Sequence, residues 1–137
     1  MEKIKVYVDW CDKNFGASTD DERIGGSVVV THRSYEGVVV ALREALAFHV
    51  ESCVSDGDLL PAWLVSGEYE LEFEMSTSAL LRRSEQFTSY AAIARASGIN
   101  VQQLSHYASG LKHPRKEQRE RILVGLRQIS NNILAMV

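Results

Sequence analysis

The sequence has few of the features that mark secreted, membrane-bound or metal-binding proteins. Its only two cysteines, Cys11 and Cys53, lie far apart and lack the CxxC or Cys/His spacing of a metal or redox site, which predicts free thiols. No apolar run approaches the roughly 20 residues needed to cross a bilayer. The N-terminus leads straight into a strand pattern without a signal-peptide core. We therefore expect a soluble cytoplasmic protein with no membrane partner.

Catalytic signatures are also missing. No Ser or Cys nucleophile shares a motif with His32 or His49, which we interpret as core histidines. We find no Gly-rich phosphate loop and no convergent polar cluster. These absences predict a protein that is not an enzyme and that uses no metal or cofactor.

What the sequence does have is a strong charge asymmetry. Its 137 residues, 45% of them hydrophobic, can bury one modest core or two small ones. Residues 1–75 carry 6 Lys/Arg and 15 Asp/Glu, a balance of −9, whereas residues 76–137 carry 9 and 3, a balance of +6. This asymmetry predicts two domains: a basic one for a polyanion, and an acidic one for a positively charged partner or for none.

The acidic part shows strand patterns followed by a helix pattern. Residues 3–10 (KIKVYVDW) alternate between apolar and polar, residues 14–17 predict a short second strand, and residues 27–32 predict a third, which together suggest an antiparallel meander. After Ser34, a plausible N-cap, apolar residues recur at helical spacing until Gly57. The predicted inner face of this helix comprises Val39, Leu42, Ala45, Leu46, His49, Val50 and Cys53.

A loop containing Pro61 leads to the clearest strand, YELEFEM, in which glutamates alternate with apolar residues. We therefore predict a small α+β domain of order β-β-β-α-β over residues 1–75. Carboxylates two residues apart on a strand stand roughly 7 Å apart, too far to share one ion, so a solvated face is the simplest interpretation. If the face has a purpose, attraction to a basic protein is more plausible than catalysis. The candidate binding residues are Asp9, Glu68, Glu70, Glu72 and Glu74.

The basic part contains a pattern typical of a helix-turn-helix. We predict a linker or first helix over residues 76–87, followed over residues 88–137 by an all-α helix-turn-helix domain with a C-terminal helix. Thr88 or Ser89 caps a helix over residues 90–96, Gly98 ends it, and Asn100 caps a second helix over residues 101–109. Two short helices joined by such a turn suggest DNA binding.

The second of these helices predicts an apolar inner face and a polar outer face. The inner set is Val101, Leu104, Ala108 and Leu111, which leaves glutamines, serines and a histidine outside. Glutamine binds adenine bidentately in the major groove, so we predict that bases are read by Gln102, Gln103 and His106. The predicted phosphate contacts are Thr88, Ser89, Ser105, Lys112, Arg115 and Lys116.

A last helix over residues 115–135 presents a regular apolar stripe. Part of this stripe covers the short helices, and the remainder is either more of the core or a dimer seam, which a two-fold DNA reader needs. The seam candidates are Ile122, Leu126, Ile129 and Ile133.

These motifs together resemble the HicB antitoxin family in its longer form, over nearly the whole chain. The resemblance rests on KIKVYVDW, NFGA, residues 27–52 and YELEFEM in the first part, and on YAAIARASGINVQQLSHYASGLKHP in the second. It implies a partial ribonuclease H-like domain before a lambda-repressor-type helix-turn-helix. It also implies a partner, the small basic mRNA-cleaving toxin HicA, and repression of the chain's own promoter as a homodimer or homotetramer.

Two other hypotheses compete with an antitoxin. One is a ligand-responsive helix-turn-helix repressor without a toxin partner. The other is a nuclease, but two-metal cleavage needs several carboxylates around ions about 4 Å apart. Asp9 is the only obvious strand carboxylate in a candidate position, and Glu36, Glu44 and Glu51 form no recognisable set.

Overall fold

The computed structural model describes all residues, 1–137, and divides them into two compact units, Met1–Ser76 and Thr77–Val137. The predicted α+β class is confirmed: the chain forms one four-stranded mixed sheet and six α-helices. None of these helices combines the length and the apolar character that crossing a membrane requires.

The sheet of unit 1 has the spatial order β3-β2-β1-β4. Its strands are β1 (Glu2–Cys11), β2 (Asn14–Thr19), β3 (Val29–His32) and β4 (Tyr69–Met75). The predicted antiparallel meander is confirmed, since β1 pairs with β2 and β2 with β3. Asp12 and Lys13 make the tight β1–β2 turn with positive φ angles of 47° and 76°, which suit a two-residue hairpin.

Strand β4 lies at one edge of the sheet, parallel to β1, with Ile4 opposite Leu71 and Val6 opposite Phe73. The apolar residues of β4 are half-buried, and its glutamates are exposed on the opposite face. The other edge of β4 has no strand beside it.

Helix α1 (Tyr35–Ser55) connects the meander to β4 and contacts β2 and β3. The predicted N-cap is confirmed, because the Ser34 side chain accepts a hydrogen bond of 3.0 Å from the Gly37 amide. The predicted inner face is displaced slightly: Val38 is fully buried, and Val39, Ala45 and His49 lie at its margins. The buried residues of α1 are Val38, Leu42, Leu46, Val50 and Cys53.

Three expectations for unit 1 need correction. The predicted loop contains a short helix, α2 (Ala62–Val65), which begins directly after Pro61. His32 is exposed rather than in the core, and its Nδ1 accepts a hydrogen bond of 3.1 Å from the Ser34 amide. His49 is only half-buried, and its Nε2 lies 2.8 Å from the carbonyl oxygen of Ile24.

Unit 2 is all-helical. Its helices are α3 (Thr77–Ser84), α4 (Tyr90–Ser97), α5 (Val101–Ser109) and α6 (Lys116–Leu134). Of the two alternatives predicted for residues 76–87, a linker or a first helix, the structure has the helix, α3. Its Leu81 is fully buried, so this segment contributes to the core of unit 2. The buried apolar core consists of Leu81, Ile93, Ile99, Leu104, Tyr107, Ala108 and Ile122.

Candidate nucleic-acid interface

The turn between α4 and α5 consists of Gly98, Ile99 and Asn100. Gly98 ends α4 with a φ of 75°, a left-handed conformation that glycine adopts without strain. The Ile99 side chain is buried beneath the turn. Asn100 begins α5, because its Oδ1 accepts a hydrogen bond of 2.8 Å from the Gln103 amide. The Asn100 cap therefore sets the first residue of α5.

The inner face of α5 differs from the predicted one. Leu104 and Ala108 are buried as expected, but Val101 is 45% exposed and Leu111 is exposed beyond the end of the helix. Tyr107 takes the remaining inner position and is buried. The inner face of α5 is therefore displaced from the predicted one, so that Val101 points towards solvent.

The outer face of α5 is a stripe formed by Val101, Gln102, Ser105 and Ser109. These positions fall within about 100° of one another on a helix of 3.6 residues per turn, and all four are exposed. Ser105 was predicted to contact phosphate, but it lies in the middle of this stripe. The stripe offers one amide, two hydroxyls and one apolar side chain to whatever approaches it.

Gln103 and His106, the other two predicted base readers, lie outside this stripe and are half-buried. The Gln103 Nε2 donates a hydrogen bond of 2.9 Å to the Tyr107 hydroxyl, which ties this side chain to its own helix. The His106 Nδ1 is buried without a hydrogen-bond partner. Of the three, only Gln102 has an exposed side chain.

The predicted phosphate-binding cations gather where α5 gives way to α6. Lys112, Arg115 and Lys116 are all exposed, and none of their side chains makes an ion pair. The Lys112 amide is anchored by a hydrogen bond of 3.2 Å to the carbonyl of His106. A polar cavity of about 550 Å³ opens here, with Gln103, Lys112 and Arg115 in its lining.

The last two phosphate candidates precede α4. The Ser89 Oγ accepts a hydrogen bond of 3.1 Å from the Ala92 amide and is therefore occupied as the helix cap. Thr88 is half-buried, and its amide bonds to the carbonyl of Ser84. At the N-terminus of α4 these hydrogen bonds therefore stabilise the start of the helix.

The supporting contacts of α4 and α5 come from residues that the sequence patterns did not single out. The Ser78 hydroxyl and the Arg82 Nε both donate to the carbonyl oxygen of Ala108, at 2.8 and 3.2 Å. The Arg121 Nε donates to the carbonyl of Ser97 at 3.3 Å. Cationic side chains that pair with the final carbonyls of a helix stabilise its C-terminus. These contacts join residues far apart in sequence, so no local sequence pattern predicts them.

The predicted dimer seam on α6 is only partly accessible. Ile122 is fully buried in the core of unit 2, which removes it from the seam. Leu126 and Ile129 are half-buried against that core, and Ile133 is 56% exposed. A groove of about 280 Å³ runs beside them and continues onto the exposed Phe87. The apolar surface left open therefore lies at the C-terminal end of α6.

The acidic residues proposed for protein binding are partly engaged within unit 1. Lys3 lies 3.9 Å from Glu72 and Lys5 lies 3.4 Å from Glu74, across the parallel pair of strands. The hydrogen bond and charge of Glu74 raise the pKa of Lys5 above its ordinary value. Of the four glutamates in this set, Glu68 and Glu70 make no ion pair.

Asp9 is likewise occupied by its neighbours. Its Oδ1 accepts hydrogen bonds from the Ser76 hydroxyl at 2.6 Å and from the Trp10 amide at 2.8 Å. No group of three or more His, Cys, Asp or Glu side chains in the structure is arranged to hold a metal ion. Asp9 therefore secures the end of β1.

No family model, curated protein or solved structure matches this chain.

Proposed function

We propose that unit 2 is a helix-turn-helix domain that binds double-stranded operator DNA. The observation that carries this proposal is the exposed polar stripe of α5, held at a fixed start by Asn100 and followed directly by three exposed cations. A short helix of this kind fits the major groove, where its first residues reach base edges. The surplus of +6 in this part of the chain favours a polyanionic ligand.

The side chains divide the work of binding. Gln102 reads adenine, Ser105 and Ser109 offer hydroxyls, and Val101 is suited to the methyl group of thymine. The half-buried Gln103 and His106 lie at the margin of the surface that faces the bases. Lys112, Arg115 and Lys116 contact phosphates and set the register of the domain on the duplex.

A second copy of the chain completes the DNA reader in this proposal. The open apolar surface of Ile129, Ile133, Leu134 and Phe87 is the seam through which two units 2 pair. A two-fold dimer places two recognition helices one turn of DNA apart, as a palindromic operator requires. A tetramer would be a pair of such dimers.

The first unit completes an antitoxin of the HicB type in our proposal. Its three-stranded meander, followed by helix α1, the short helix α2 and the edge strand β4, is compatible with the partial ribonuclease H-like domain that the sequence resemblance implies. Its balance of −9 suits a small basic mRNA-cleaving toxin of the HicA type. The chain would neutralise this toxin in the cytoplasm by covering its surface. It would repress its own operon through unit 2, without any catalysis of its own.

The proposal is tested by co-expressing the full chain with the reading frame that adjoins its gene and purifying any complex. The same preparation is then mixed with the promoter fragment upstream of the gene in an electrophoretic shift assay at low ionic strength. A complex that retards the fragment supports both roles. If the chain retards the fragment but forms no complex with the neighbouring gene product, a ligand-responsive repressor is favoured instead. If neither the chain alone nor its complex retards the fragment, the DNA-binding role is refuted.

A further inference from the structure

Helix α1 carries apolar residues on both of its faces. Its inner face is buried, as described above, yet its outer side also presents Val40, Phe48 and Val54, which are 54%, 70% and 47% exposed. A helix that covers one side of a sheet normally has a charged and polar outer face. Several exposed apolar side chains on one side of a helix, rather than a single one, indicate a surface that binds a partner.

The outer residues of α1 form one continuous stripe. At 100° per residue, positions 40, 44, 47, 48, 51 and 54 fall within about 120° of each other. Beside this stripe, a groove of about 410 Å³ separates α1 from α2, and its lining includes Ala47, Val54, Val65 and Tyr69. The groove offers a pocket for an inserted apolar side chain. The exposed ring of Phe48 lies on the opposite margin of the stripe.

Two carboxylates lie within the apolar stripe. Glu44 and Glu51 are exposed, and their side chains make no hydrogen bond or ion pair. The sheet face differs, because Glu72 and Glu74 already have lysine partners. A cationic partner meets unshielded charge on α1, whereas on much of the sheet face it must compete with Lys3 and Lys5.

Charge decides between a second copy and a different protein as the occupant. Two copies of unit 1 meeting through α1 would bring together two surpluses of −9, and like charges at an interface are unfavourable. A basic protein with apolar side chains among its Lys and Arg residues can bury the ring of Phe48 and form ion pairs with Glu44 and Glu51.

We propose that the outer face of α1, together with the α1–α2 groove, is the docking surface for the basic partner of unit 1. This inference rests on the proposed toxin-binding role, and it places the contact on the helix rather than on the glutamate face of the sheet. Phe48 is the most exposed apolar residue of this surface, and Glu44 and Glu51 are its charged neighbours.

The test measures the affinity of the full chain for the purified product of the adjoining reading frame by isothermal titration calorimetry. Phe48→Ala should weaken binding at least tenfold, because a buried aromatic at the centre of an interface carries much of its affinity. Glu51→Lys should weaken it and reduce the dependence of affinity on salt. Glu70→Lys, the matched charge reversal on the sheet face, should change affinity less than threefold. Circular dichroism melts check that all three variants are folded.

Each other result overturns the inference in an identifiable way. Loss of binding in Glu70→Lys with wild-type affinity in Phe48→Ala would return the contact to the sheet. A fall in the mass of the free chain on Phe48→Ala, measured by light scattering after size exclusion, would show that a second copy covers α1. If the wild-type chain binds no product of the adjoining gene, the proposed toxin-binding role itself fails.

Discussion

Neighbouring glutamines at the start of α5 have different surroundings, although the sequence presents them as equivalent. The Gln103 amide is tied to the hydroxyl of Tyr107, whereas Gln102 is exposed without a partner. Recruiting Gln103 to a base would first require breaking its hydrogen bond, at a cost of about 1 kcal/mol. In the proposed complex with DNA, Gln102 would reach a base edge without that cost.

We expect Gln102→Ala to lose about 1–3 kcal/mol of binding free energy at the operator while leaving affinity for random DNA unchanged. The reason is that a bidentate contact to adenine distinguishes sequences, whereas phosphate contacts do not. Fluorescence anisotropy with labelled promoter and scrambled duplexes measures both affinities. Gln128→Ala, an exposed glutamine on α6, is the control and should alter neither. Equal losses on both duplexes would contradict base reading by Gln102.

At the scale of the elements, local patterns in the sequence predicted most of the structure. The alternation in KIKVYVDW and YELEFEM gave two strands, and the caps Ser34 and Asn100 gave the starts of two helices. The parallel pairing of β4 with β1 was not predictable this way, because it depends on contacts distant in sequence. Helix α2 spans only four residues, too few to show a period.

The candidate interface was harder to predict than the elements that carry it. The helical spacing predicted an inner face of α5 that was led by Val101 and left Tyr107 out. The structure selects Tyr107 because its ring fills the core of unit 2 while its hydroxyl bonds to Gln103. Such a choice depends on the volume left between α3, α4 and α6, which no pattern within α5 records.

Packing between α4 and α6 yields a prediction about Gly125. A Cβ at this position would lie 3.1 Å from the amide nitrogen of Ser97 and 3.3 Å from its Cα, which are backbone atoms that cannot swing away. Gly125→Ala gains about 1 kcal/mol of helix propensity, but overpacking costs about 1–3 kcal/mol. We expect a net loss of about 1 kcal/mol in the free energy of unfolding of unit 2.

Urea unfolding followed by far-ultraviolet circular dichroism measures this loss. Tryptophan fluorescence provides an internal control, since Trp10 and Trp63, the only two tryptophans, both lie in unit 1 and should report an unchanged transition. Ser130→Ala, at an exposed position of the same helix, should be neutral or slightly stabilising. A rise in the stability of Gly125→Ala would show that α4 and α6 can separate at no cost.

Considered as a whole, the molecule separates its charge along the chain, with a surplus of −9 in one part and +6 in the other. The strength of DNA binding by a basic protein surface depends on the counterions that it releases from the phosphates nearby. The net charge of −3 for the whole chain is therefore compatible with the proposed binding of DNA by its basic part.

Removing one phosphate contact should weaken binding to every DNA sequence alike. We expect Lys112→Ala or Arg115→Ala to reduce the slope of log affinity against log salt concentration by about one. Anisotropy titrations at several salt concentrations measure this slope on both promoter and random duplexes. Arg127→Ala removes an exposed cation from α6 outside the proposed interface and should keep the wild-type slope. An unchanged slope in both Lys112→Ala and Arg115→Ala would exclude them from the phosphate contacts.

The uncovered edge of β4 has a consequence for the behaviour of the protein in concentrated solution. An edge strand with unpaired backbone groups can form hydrogen bonds with the edge strand of another copy, which leads to aggregation. Charged side chains along the strand oppose this pairing. Two β4 edges brought side by side would set their rows of glutamates against each other, so ionised carboxylates keep neighbouring molecules apart. The row of glutamates on this edge strand therefore opposes edge-to-edge association of two copies of the protein.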